Sequence, residues 1–369
     1  MARVSDIFEN HPGKPATEDG IYSEYEVRLA NRNAGVILET LAQDITPTGA
    51  HYLLTHFDVP MLDAARHELV FGAGFESPFT LSMADIRALP QVTMPVTLEC
   101  AGNGRAGVSP RSHSMPWGVE AVGTSEWTGT PLGPLLERAR PEAETVEIVF
   151  TGADEGFDGG VRHHFGRSLT LEQIAELDVL LVYAMNGASL LPQHGAPLRI
   201  IVPGWYGMAS VKWLSRIEAV SEPYQGYQQV RTYRYRDHVD DPGRPVTALR
   251  VKSLMVPPGV PDWVTRCRHV APGPVQITGR AWAGSLPVAR VEFGVDDIWQ
   301  EARLVPGSGP YAWSKWTTTW DARPGEFRLR CRATDVEGNT QPLEPRWDAS
   351  GFGNNAAHCV DVYVSEKTS

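Results

Sequence analysis

From Gln276 to Val364 the chain alternates apolar and polar residues position by position, in QITGRAWAG, ARVEFGV, EFRLRCRATD and HCVDVYV, with turn residues between the runs. Period two puts every second side chain on one face, the mark of a half-buried strand and not of a helix. Several such runs in succession predict a β-sandwich. The Cys–Trp–Cys arrangement of antibody domains is missing from the segment, so only the immunoglobulin-like architecture is expected.

The pattern upstream is different. Between Tyr52 and about Ile217, VTLEC and TVEIVF read as strands, and SMADIRAL and LTLEQIAEL read as short amphipathic helices, the first capped by Ser82. LDVLLVYAMNG ends on the tight-turn pair Asn186-Gly187, and APLRIIVPG follows closely. With 35 Gly and 29 Pro in 369 residues, turns are frequent and long helices disfavoured. The fold class expected is α+β: a mixed-sheet domain over 1–245, then an immunoglobulin-like sandwich over 246–369, divided at the acidic, Pro-containing RDHVDDPGRP. A chain this long exceeds one ordinary core.

A net charge of −11 argues against nucleic acid as a partner, since phosphate neutralisation needs a Lys/Arg surface. No stretch approaches the roughly 20 apolar residues of a membrane span. The polar start MARVSDIFENHPGKPATEDG carries neither a hydrophobic signal core nor a twin-arginine pair, so a cytoplasmic protein is expected. Cys100, Cys267, Cys331 and Cys359 form no CxxC pair and are expected to be free thiols.

Chemistry concentrates in MPVTLECAGNGRAGVSP, where a strand runs straight into a glycine-rich turn and leaves Cys100 at its end. Loop amides and Arg105 are expected to lower the thiol pKa, and a thiolate is a ligand for soft metals. A buried core cysteine would look the same, so position alone leaves both readings open.

Three segments carry a resemblance: TLECAGNGR, LLVYAMNGASLLPQHGAPLRIIVPGWYGMASVKWL and GFGNNAAHCV, in that order. Over about 46–364 the chain resembles the sulfite oxidase family of molybdopterin-dependent oxidoreductases, in its haem-free bacterial form. The resemblance implies one molybdenum-molybdopterin cofactor per chain, a homodimer formed through the C-terminal domain, and oxygen-atom transfer on a small oxyanion or oxide substrate. It also implies that Cys100 ligates the metal, and that His56, Asp154, His194, Arg199, Ser210 and Lys212 contact the cofactor. Tyr233 would stand beside the metal, Trp117 would line the substrate pocket, and Arg105 would be its remaining cation. The residue types suit these roles: Arg199, Lys212 and Ser210 can hold a phosphate, His194 and Asp154 can bond polar rings, and a tyrosine hydroxyl can relay a proton. The chain has no CxxCH haem motif, so electrons are expected to leave to an external acceptor.

The chain departs from the family at three positions. Leu54 stands where an arginine contacts sulfite, Gly104 replaces the first of two arginines after the cysteine, and Cys359 stands where an arginine is expected after His358. Each lost cation would remove roughly 1 to 4 kcal/mol of attraction for an anion. Arg111, Arg162, His163, His164, Arg231 and Arg234 are the candidates to compensate. A less cationic pocket would suit reduction of a neutral S-oxide or N-oxide. Two further readings stay open here: a Cys100–His113 pair for acyl transfer, and a scaffold that has lost activity.

Overall fold

The computed structural model describes residues 23–365. Two sheets form the N-terminal part. In one, Phe79–Ser82, Glu68–Phe71, Leu214–Val220, Glu147–Asp158 and Val161–Thr170 lie side by side, with Glu68–Phe71 parallel to Leu214–Val220 and the other pairs antiparallel. In the other, Val92–Glu99 pairs with Val122–Pro131, which pairs with Leu180–Met185; Arg199–Ile201 lies against Leu180–Met185. Mixed pairing and short helices make this the expected α+β arrangement.

Local sequence explains the elements. Ser82 caps Met83–Arg87 in a reciprocal capping box with Asp85, and Thr170 does the same for Leu171–Glu176 with Gln173. Asn186 and Gly187 both adopt positive φ, closing the hairpin that pairs Met185 with Ala188. One helix was not anticipated: Glu24–Ala30, capped by a Ser23–Glu26 box.

The C-terminal part is a sandwich. Lys252–Met255, Gly273–Trp282, Ser314–Ala322 and Arg303–Val305 form one sheet. The other runs Val260–Pro261, Arg268–Val270, His358–Val364, Gly325–Asp335, Val288–Val295, Ile298–Glu301. The alternation read from sequence is the burial pattern found: His358–Val364 runs buried, exposed, buried throughout. Phe293, Trp316, Leu329 and Val291 are fully buried between the sheets, each contributing about 1.5–3 kcal/mol.

The sandwich is joined to the first part by buried polar contacts. Glu99, last residue of its strand, accepts from Lys252 Nζ at 2.8 Å, Asn103 Nδ2 at 3.0 Å and Trp282 Nε1 at 2.8 Å. Lys252 and Trp282 belong to the sandwich sheet, and Glu99 precedes Cys100.

Candidate active site

Cys100 is held by its loop. Its N–H donates to Ala121 O at 2.9 Å, and the Asn103 side chain joins Glu99 to the Ala121 N–H. Gly104, at φ 91°, turns the chain back. A segment from the far end of the sequence clasps the loop: Asn354 Nδ2 donates to Gly104 O at 2.7 Å, Gly353 N–H to Ala101 O at 2.8 Å, and Arg105 Nε to Ser350 O at 2.9 Å. Arg105 Nη1 also donates to Met115 O at 2.9 Å.

The thiol differs from expectation. Burial pushes the Cys100 pKa up, because a dry site disfavours the thiolate more strongly than Arg105, the Gly102 N–H and the Trp117 indole favour it. The loop therefore lowers the thiol pKa too little to ionise it unaided; a metal ion would supply the missing charge. Trp117 is buried in the same cluster as Cys100, and its Nε1 has no hydrogen-bond partner of ordinary length.

Cys100 opens onto a cavity whose wall also contains Leu54, His56, Asp154, His194, Arg199, Ser210, Lys212 and Tyr233. Seven predicted residues thus gather around the cysteine from five distant stretches. Arg105 and Trp117 do not line this cavity; Trp117 shares a buried cluster with Cys100, and the Arg105 charge acts on its thiol. His56 Nε2 and the Tyr233 hydroxyl share a hydrogen bond of 2.5 Å. Tyr233 follows a single π-helical turn, Gln228–Thr232, a local distortion common at functional sites.

The cations are held by backbone. Arg199 Nη1 and Nη2 donate to His194 O and Ser210 O, both at 3.0 Å, while Lys212 Nζ donates to Leu54 O at 2.9 Å and Gln193 O at 3.0 Å. The Ser210 hydroxyl accepts from the Val202 N–H at 3.0 Å. Burial pulls Arg199 down to about 10 and Lys212 to about 7, with Arg199 adding to the shift of Lys212. It also holds His56 and His194 near 3, as neutral imidazoles, and lifts Asp154 to about 6 against the pull of Lys212.

Several polar atoms here are buried and unsatisfied: Asp154 Oδ1, His51 Nε2 and Arg199 Nε. Unmade hydrogen bonds of this kind cost about 1–3 kcal/mol each, so their clustering marks a place for a polar ligand. Two cations without carboxylate partners suit a phosphate, and the neutral imidazoles and Asp154 suit a heterocycle. Among the described residues no group of three or more His, Cys, Asp or Glu could hold a metal. A metal at Cys100 would take its remaining ligands from a bound organic group.

Reading the sequence missed three residues. His51 and Tyr52 line the cavity, yet nothing in HYLLTH distinguishes them from core aromatics. Arg167 is buried beside Tyr233, inside a strand where an arginine reads as a solvated charge.

The structure corrects the account of lost cations. Leu54 does line the cavity. Gly104 does not: a Cβ there would point at Asn354, 3.0 Å away, in a backbone conformation that side chains rarely adopt. Cys359 is exposed on the last sandwich strand, outside the site. The proposed compensators are committed elsewhere. Arg111 pairs with Glu26, Arg162 with Glu155, and Arg234 bonds Pro242 O and Gly243 O. His163 bonds Val161 O, and His164 bonds Asp154 O. Arg231 is exposed and does not line the cavity. His113 bonds Ser23 Oγ and stacks on Tyr25; among the described residues no hydrogen bond joins it to Cys100, which removes the acyl-transfer pair.

Residues 56–228 match the oxidoreductase molybdopterin binding domain, and residues 244–365 match the Mo-co oxidoreductase dimerisation domain. Sulfite oxidase of Gallus gallus is 32% identical over 352 residues, covering 88% of this chain and 75% of that protein. The chain belongs to the sulfite oxidase family of molybdopterin-binding oxidoreductases. Its relatives include the NADH nitrate reductase of Ulva prolifera, 30% identical over 85% of this chain. The chain spans 39% of the length of that enzyme and 62% of human mitochondrial sulfite oxidase. The fold is that of the sulfane dehydrogenase SoxCD from Paracoccus pantotrophus, with a TM-score of 0.75, 24% identity and coverage of 95% of this chain and 94% of that one.

Proposed function

We propose that this chain oxidises a small sulfur oxyanion at a molybdenum-molybdopterin cofactor ligated by Cys100, with electrons passed to an external acceptor. The observation that carries the reading is a buried thiol facing a cavity lined by unpaired polar atoms and two cations. When bound, the cofactor supplies two-electron oxygen-atom transfer. For sulfite, one oxygen derived from water is gained, and two electrons and two protons leave. His194, Asp154, Arg199, Ser210 and Lys212 would hold the organic part. Tyr233, bonded to neutral His56, would hold and pass a proton at its hydroxyl. Trp117 would stiffen the Cys100 side. The sandwich would mediate a homodimer, and the division into domains at 245/246 belongs to the same reading.

A second reading is reduction of a neutral S-oxide or N-oxide, favoured by Leu54 in the cavity wall. The test is metal analysis and molybdenum X-ray absorption on protein made in a host that synthesises the cofactor. One molybdenum per chain with a sulfur ligand lost in Cys100→Ser is expected; an unchanged spectrum in that variant overturns the ligation. Ferricyanide reduction driven by sulfite, set against dye oxidation driven by S-oxides, separates the two substrates.

A further inference from the structure

Five arginines are buried among the described residues: Arg105, Arg167, Arg199, Arg268 and Arg280. Arg268 and Arg280 pair with Glu39 and Asp44. Among the described residues the other three have no carboxylate within ion-pair distance, and all three sit around Cys100 and Tyr233. A buried cation without a counter-charge is costly and persists where an anion arrives to meet it. Arg199 faces the cavity and Arg105 the cysteine loop. Arg167 has no assignment.

Arg167 lies two residues after Phe165 on one strand, so both point to the same face. Phe165 lines the cavity and packs on His56 with ring centroids 4.7 Å apart. The Arg167 guanidinium lies 5.6 Å from the Tyr233 ring centre and donates from Nη1 to Gln228 O at 2.6 Å, leaving Nε without a partner. The tyrosine ring also stacks on Phe352 at 5.2 Å, and Arg105 lies over Phe352 at 5.1 Å. Each ring of the stacked pair thus has a buried guanidinium beside it. Gln228, 1% exposed, and Thr232, 8% exposed, have unpartnered side-chain polar atoms in the π-helical turn whose Gln228 O accepts from Arg167. Among the described residues no carboxylate lies within ion-pair distance of Arg167, and Glu147 on the neighbouring strand acts on it only from farther away.

We propose that Arg167 is the cation that makes up for Leu54: from behind Tyr233 it biases the site toward a small oxyanion and against a neutral oxide. The inference rests on the oxidase reading above and decides between its two substrate classes. Arg167 acts as a positioning residue, through Tyr233 and through its charge, without touching the substrate.

The test uses the cofactor-loaded protein, with sulfate as a non-reacting probe and dimethyl sulfone as its neutral counterpart, by calorimetry at constant ionic strength. Wild type is expected to bind sulfate at least about tenfold more tightly than the sulfone; Arg167→Gln should erase that preference, and Arg167→Lys should restore it to within about threefold. The sulfite KM should rise in step in Arg167→Gln while molybdenum content stays at the wild-type level. Equal affinity for the two probes in loaded wild type overturns the inference even if no variant folds, and so does unchanged sulfate binding in loaded Arg167→Gln. A Lys variant no better than Gln also overturns it, since the role would then be shape and not charge. Absence of molybdenum from correctly expressed protein sinks the oxidase reading instead, which metal analysis reports separately.

Discussion

Glu99 and Lys252 form an ion pair at 2.8 Å in which both side chains are 2% exposed, one residue before Cys100. A buried pair is worth little against an apolar pair of the same shape, but breaking it strands a charge. Lys252→Met and Glu99→Gln should each cost about 3–5 kcal/mol, while the double variant should recover most of that loss. Urea denaturation of the four proteins checks this. Simple additivity of the two single costs would show that the partners are not coupled.

Tyr233→Phe removes the hydroxyl bonded to His56 and leaves the ring stacked on Phe352. Sulfite turnover is expected to fall about 10²–10⁴-fold with molybdenum content unchanged, as for loss of a proton relay. Steady-state kinetics beside metal analysis decides the matter, and an undiminished kcat would remove Tyr233 from the chemistry.

Two arginine substitutions should behave oppositely. Leu54→Arg adds a cation to the cavity wall and should lower the sulfite KM. Gly104→Arg meets Asn354 at a φ of 91° and should destabilise the fold by about 1–3 kcal/mol with no gain in affinity. Paired kinetics and melting curves on both variants check the contrast; a lowered KM in Gly104→Arg would contradict the geometry of the loop.

Acid should weaken the cofactor-free fold. His358 accepts from the Met255 N–H at 3.0 Å and is held down to about 4 by burial and by nearby Lys252; His51 is held near 4 by burial. Below about 6.5 the unfolded chain takes up protons that these histidines refuse until about 4. The contribution of these two histidines to stability therefore falls as pH drops from 6.5 toward 4 and levels off below. His358→Gln should flatten this dependence by up to about 1.4 kcal/mol per pH unit, read from urea midpoints at pH 7 and pH 5. An equal slope in that variant would show that His358 does not contribute.

What the sequence revealed was whatever short-range pattern encodes. The sandwich strands and the capped helix at Ser82 are written in spacings of two to four residues. The Ser23–Glu26 box carried the same kind of signal in SEYE and was overlooked. Most residues matched to a family motif, though not Arg105 and Trp117, gathered in one cavity, because a motif stands in for contacts between distant stretches. Leu54 was identifiable for that reason. Arg167 was not, since its meaning depends on Tyr233 and Phe352, far along the chain. The Cys100 thiol was misjudged because adjacent residues show the charges around a group but not how dry it is.

The clasp on the cysteine loop also bears on the order in which the protein comes into being. Asn354 reaches Gly104 across 250 residues. The 250 residues that follow Gly104 must therefore be made before the clasp on the cysteine loop exists, and loops closed over such distances form late in folding. Until then the nascent thiol lacks its final enclosure. A truncation that spares every predicted ligand but ends before residue 350 would leave the cysteine loop unclasped.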